Sequence, residues 1–171
     1  MAGVRQRWVR GAVVAVPLDD RHYIYAQMLD FPEYAFFDCR TLDKLSAREA
    51  VALPVLFRLW VTASGHSQGR WRKVGTASVS PALQVPVRRF NQDMLRPQDI
   101  RLTLDGCNGP LVSPAECEGF ECAAIWDAQG VEDRVRSHYA GMPDRRAVSL
   151  RPKVVTPRPA PHPTGGGSPD S

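Results

Sequence analysis

Three short apolar runs near the start of the chain, each cut off by a turn, constrain the fold more than any other feature. Val13 to Val16 is closed by Pro17-Leu18-Asp19-Asp20. Residues 22–29 (HYIYAQML) are closed by Asp30-Phe31-Pro32-Glu33, and the aromatic-rich run Tyr34 to Cys39 follows. Three short strands with tight connections form an antiparallel meander. In the second run Tyr23, Tyr25, Gln27 and Leu29 share one face, and Ile24, Ala26 and Met28 share the other. Both faces carry large apolar groups, so this strand is expected to be covered on both sides.

The pattern then changes. Residues 43–52 (DKLSAREAVA) are helix formers stopped by Pro54. Val55 to Thr62 returns to strand, with Val55, Phe57, Leu59 and Val61 on one face. Gly65 to Gly69 reads as a loop, Trp71 to Val79 as a strand pairing back across it, and Pro81 to Pro97 as irregular. Ile100, Leu102 and Leu104 alternate with Arg101 and Thr103, a half-exposed strand ended by Asp105-Gly106. No internal repeat is visible. The predicted fold class is α+β: a small, curved, mostly antiparallel and barrel-like β-sheet with a short mid-chain helix and a C-terminal helix.

The stretch 113–141 carries the densest local signals. Ser113-Pro114-Ala115-Glu116 has the form of a capping box, with proline at the first helical position and Glu116 able to reach back. Gly119 is expected to end that turn. Glu121 to Trp126 is short and hydrophobic and reads as a final strand, a helix being the alternative that periodicity leaves open. Asp127 suits the N-cap of a helix from about Ala128, in which Val131, Val135, His138 and Tyr139 form the core-facing stripe. Glu132 and Arg136 then pair on the outside, beside Asp133 and Arg134, and Gly141 with Pro143 ends the helix.

A formal net charge of +4 invites a nucleic-acid partner until the charge is located. Residues 145–171 hold five bases and one acid, which leaves seventeen of each in residues 1–144. A balanced body has no excess charge to hold a phosphate backbone, and the group Arg70, Arg72 and Lys73 around Trp71 reads as a solvated strand end. The chain therefore divides into a body, 1–144, and a basic tail, 145–171. The tail's prolines and glycines predict disorder. At the start, Pro17 and two aspartates break the apolar stretch too early for a secretory or membrane segment, which places the protein in the cytoplasm.

Chemistry is hard to place on this chain. Cys39, Cys107, Cys117 and Cys122 include no CxxC pair, and the histidines do not stand beside them at ligand spacing, so neither metal nor cofactor is expected. A glycine-rich phosphate loop, a GxSxG elbow and an HExxH helix are all missing. Glu116, Glu118 and Glu121 would diverge from a short helix and a strand, and His138 reads as a structural histidine. An enzyme hypothesis, such as a hydrolase using His138 with Glu132 or Asp133, has no supporting motif.

Four stretches taken in order, GAVVAVPLDDRHYIYAQMLDFPEYAFFD, LPVLFRLWV, GRWRKVG and SPAECEGFECAAIWDAQGVEDRVRSHYAG, resemble the immunity protein 26 family of bacterial polymorphic-toxin systems. The resemblance spans about residues 8–143 and is most specific in the last block. It departs at Arg21-His22, where the family usually has a glycine before the tyrosine of the second strand, and residues 84–100 match poorly. What it implies is a stoichiometric inhibitor: a cytoplasmic protein that binds a cognate toxin and neutralises it without a cofactor. The sequence suggests an acidic ridge as the contact surface, Glu118, Glu121, Asp127, Glu132 and Asp133 beside Trp126 as hot spot. A buried Trp126 with ordinary surface acids is the plainer reading of the same residues. A second candidate region comprises Trp60, His66, Arg70 and Trp71. The alternative function is a small β-barrel-like binding module for nucleic acid or peptide.

Overall fold

The computed structural model describes residues 6–104 and 106–155. Strands β1 (Ala12–Pro17), β2 (Tyr23–Met28) and β3 (Glu33–Phe37) form the expected antiparallel meander, and β4 (Val55–Val61) adds to β3. Helix α1 (Ala47–Ala50) is shorter than the residue preferences suggest. The Tyr25 hydroxyl donates to the Asp43 carbonyl and accepts from the Leu45 amide, holding the entry to the helix off the helical path. Ser46 and Glu49 close a reciprocal capping box that starts the helix after that anchor.

The next element corrects the expected topology. The stretch 65–69, read as a loop, lies mostly within a short helix, α2 (Ser64–Ser67). It carries the chain away from β4, so that β5 (Arg72–Thr76) pairs with β1 rather than back across to β4. Both sides of β4 are already taken, by β3 and by the two-residue β10 (Ile125–Trp126), giving the sheet order β10-β4-β3-β2-β1-β5. The stretch expected to be irregular contains a proline-started turn of helix, α3 (Pro81–Gln84), and strand β6 (Arg89–Gln92).

A second, four-stranded sheet follows in the order β8-β7-β6-β9, from β7 (Ile100–Leu104), β8 (Cys107–Val112) and β9 (Glu121–Cys122). Strand β8 is absent from the pattern reading because it contains Gly109 and Pro110. Gly109 is needed where it stands, since a Cβ there would lie 2.7 Å from the Leu102 carbonyl oxygen. The run 121–126 is not one strand. Its first half runs parallel to β6 in the second sheet and its second half parallel to β4 in the first. Ala123 and Ala124 carry the chain between them, with the Ala123 amide donating to the Phe90 carbonyl at 2.7 Å. The α+β class and the mostly antiparallel pairing hold, and the two sheets are seamed together, neither closing into a barrel.

The first sheet is covered on both faces, as the doubly apolar β2 requires. One face packs Val14, Ile24, Met28, Phe36, Leu59 and Trp71 against Trp126 and helix α4 (Ala128–Tyr139). The other packs Val13, Tyr25, Ala35 and Phe37 against α1 and Leu83. Asp127 caps α4 by accepting from the Gly130 amide at 3.0 Å, and Gly141 takes the left-handed conformation (φ 65°) just past its end. The buried face of α4 is turned relative to the expected stripe. Its centre follows Ala128, Val131 and Val135, which brings Glu132 inside and leaves His138 exposed.

The proline-rich tail was expected to be disordered from residue 145, yet its first residues form α5 (Arg145–Ser149). Asp144 caps it by accepting from the Ala147 amide at 2.7 Å, and Ala147 and Leu150 pack against the core. The remainder of the expected disordered tail, residues 156–171, lies outside the described residues. Among the described residues no helix is long and apolar enough to cross a membrane.

Candidate partner-binding surface

Four of the candidate contact residues form part of the interior. Trp71, Trp126, His66 and Glu132 are all buried, so none of them can serve as a protruding hot spot. Glu132, only 2 % exposed, is fully partnered. Its Oε1 accepts from Arg70 Nε (2.7 Å) and Trp71 Nε1 (2.9 Å), and its Oε2 from Arg70 Nη2 (2.6 Å) and Arg136 Nη2 (3.3 Å). A buried carboxylate is tolerated when its lone pairs are filled in this way. The network joins residues 70–71, between α2 and β5, to α4.

Trp126 lies between two guanidinium groups, Arg134 at 5.1 Å and Arg146 at 4.7 Å from its ring. Arg134 also covers Phe57 (4.5 Å) and pairs with Glu121, while Arg146 pairs with Asp127 at 3.0 Å. Trp60 is half-buried beneath Arg89, 4.9 Å from its ring. Arg89 in turn donates to Glu33, whose other oxygen accepts from Arg58, both at 2.6 Å. Glu33 thus ties β3 and β4 of the first sheet to β6 of the second. The turn-like sequence around Glu33 gives no sign of that role.

The two candidate regions meet through Arg70, which donates to Gln129 as well as to Glu132 on α4. Trp60 is not part of that meeting, since it stands on the other face of β4 under Arg89. Between α4 and α5 lies an open cleft of about 670 Å³, lined by Asp127, Gln129, Asp133, Arg136, Asp144 and Arg145 among others. This surface is not an acidic ridge. Glu121, Asp127, Glu132 and Asp133 each have an arginine partner, and of the five ridge acids only Glu118 makes no ion pair among the described residues. Asp133 is neutralised within its own helix by Arg136, whereas the arginines that pair with Glu121, Asp127 and Glu132 (Arg134, Arg146 and Arg70) come from other elements. The expectation of a steering negative patch is therefore replaced by a charge-balanced rim.

Burial raises the pKa of the Cys39, Cys117 and Cys122 thiols, which keeps them protonated at neutral pH. Among the described residues no group of three or more His, Cys, Asp or Glu is placed to hold a metal ion. His66 is held below its ordinary range by burial. In the unfolded chain it titrates near its ordinary value of about 6.5. The neutral folded ring therefore contributes stability that is complete above that value and is lost as pH falls toward the depressed folded one. Urea midpoints at pH 7.5 and 5.5 should differ less for His66→Gln than for the parent protein.

Several strongly exposed apolar side chains stand outside the residues that the sequence singles out. Phe31 is 66 % exposed, and Met94 and Leu95 are 95 % and 92 % exposed on the β6–β7 loop. That loop is braced, with Asp93 Oδ1 accepting from the Leu95 and Arg96 amides. The only available signal was an apolar residue inside a turn sequence, which pattern reading assigns to punctuation.

No curated protein and no solved structure matches this chain. A family model does match, that of Immunity protein 26, over residues 9–101. The match takes in the whole meander, β4, β5 and β6. Three of the four resembling stretches fall within it, while the C-terminal block 113–141 lies beyond it. With more than half of its 171 residues matched, the chain belongs to the Immunity protein 26 family.

Proposed function

We propose that this protein is an immunity protein that binds a cognate toxin and neutralises it by stoichiometric protein–protein inhibition, acting in the cytoplasm without a cofactor. Family membership carries the reading. The chemistry of the surface supports it. Asp127, Glu132 and Asp133 are tied into ion pairs, and three of the thiols are held protonated, so these groups are suited to shaping a surface rather than to transferring protons or electrons. A rim of alternating charges around α4, built from Arg70, Asp127, Asp133 and Arg136, would select a partner by position of charge more than by net attraction. Glu121 and Glu132 pair with arginines of that region and hold its shape, whereas Trp60 lies on the other face of β4, under Arg89.

Co-expression with the toxin encoded by the adjacent gene tests the proposal. Growth rescue and co-purification of the two chains at 1:1 are the expected results. Failure to rescue, together with failure to form a complex, overturns it.

A further inference from the structure

We infer that the pocket lined by Trp8 and His66, together with the exposed Phe31 that packs on Trp8, is the anchor point of the protein partner and takes an acidic side chain. The inference rests on the immunity reading above, but uses a surface that reading does not assign.

Trp8 is the centre of the site. Its ring meets those of Phe31, Tyr34 and His66 at 5.1, 4.8 and 5.3 Å, and its Nε1 donates to the Leu29 carbonyl at 3.2 Å. Phe31 packs at a right angle against Trp8 and is 66 % exposed. A well-held aromatic of this kind is a preferred anchor in protein interfaces, since it buries a large area with little loss of side-chain freedom. Beside it opens a hollow of about 620 Å³ lined by Gln6, Arg7, Trp8, His66 and Ser67.

The polarity of that hollow follows from Tyr34. Its hydroxyl is buried, and its partner is His66 Nδ1 at 3.0 Å. A buried hydroxyl hydrogen needs an acceptor, so Tyr34 donates and Nδ1 accepts, which places the imidazole proton on Nε2. His66 is only 4 % exposed, and its Nε2 makes no hydrogen bond among the described residues. Among those residues it is a donor without a partner, on a side chain that lines the hollow. Gln6, by contrast, is used up: it donates to the His66 and Trp71 carbonyls and accepts from the Lys73 amide. Donors from His66 and Arg7 against an aromatic wall fit a carboxylate on an aliphatic stem. A glutamate or aspartate of the partner, presented beside an apolar patch that covers Phe31, matches this chemistry.

Binding of the full-length chain to a catalytically inactive form of the toxin encoded by the adjacent gene, followed by calorimetry, provides the test. Phe31→Asp should weaken binding by at least about 30-fold. Arg7→Glu should weaken it about tenfold, with a slower association that depends on salt. Arg48→Glu on α1 should leave it unchanged, and all three variants should keep the parental unfolding midpoint. Nitrogen-detected NMR should find the His66 proton on Nε2.

If the parent protein binds and both site variants bind as tightly, the pocket assignment is wrong and the immunity reading stands. If the parent itself fails to bind, the immunity reading falls and takes this site with it. A proton found on Nδ1 removes the donor and overturns the choice of a carboxylate. Binding of a DNA duplex that Arg7→Glu abolishes would make the occupant a phosphate backbone, and overturn the acidic-protein assignment.

Discussion

Replacing Glu33 by alanine should cost this fold about 4 kcal/mol, the largest loss expected from any single polar substitution. Among the described residues Glu33 is the one carboxylate that pairs with Arg58 and Arg89, whose side chains are 12 % and 2 % exposed. Without it, two guanidinium groups face each other away from water, and the Nε of Arg58 already lacks a hydrogen-bond partner. The damage should appear first at the junction of the two sheets, as faster proteolysis of residues 89–122. Urea denaturation supplies the magnitude. Adding Arg89→Met to Glu33→Leu removes one of the stranded charges, so the double variant should be more stable than Glu33→Leu alone. Additive losses would show that the three groups do not act as a unit.

Glu132→Ala should cost about 3 kcal/mol. The loss would come mainly from Trp71, fully buried, whose Nε1 hydrogen would have no acceptor. Arg70 and Arg136 are about two-fifths exposed and can turn to water, which limits their share. Asp133→Ala, one residue along the same helix but 54 % exposed at its side chain, should change stability by about 0.5 kcal/mol or less. Equal urea midpoints for the two variants would refute the reading of Glu132 as the pin between α4 and Trp71. Both carboxylates stand in one run of charge, and only burial separates them.

That pair of residues marks how far sequence carries here. The α4 helix, its Asp127 cap and its Gly141 stop are legible because each depends on neighbours within a turn. Which side of the helix turns inward is a different question. Val131 and Val135 bound the answer, but the rotation that buries Glu132 and exposes His138 is set by Trp71 and Arg70, sixty residues away. For Trp126 the sequence leaves an interface residue and, more plainly, a buried one; the structure decides for burial, with two arginines against its ring. Phe31 shows the reverse: it stands in a turn sequence that reads as punctuation, yet the fold leaves it 66 % exposed.

By itself the sequence determined the α+β class, the β1–β2–β3 meander, the double coverage of β2, the caps of α4 and the family resemblance. All of these rest on apolar alternation, turn residues and caps, which act over a few residues and leave their mark in the order of the chain. Only the tertiary structure decided that β5 lies against β1, that 121–126 is shared between two sheets, and which charges are buried. Pairing between distant strands depends on which edges remain open after the others have formed. The fate of a charge depends on whether an opposite charge arrives from another element, and neither condition is written in local sequence.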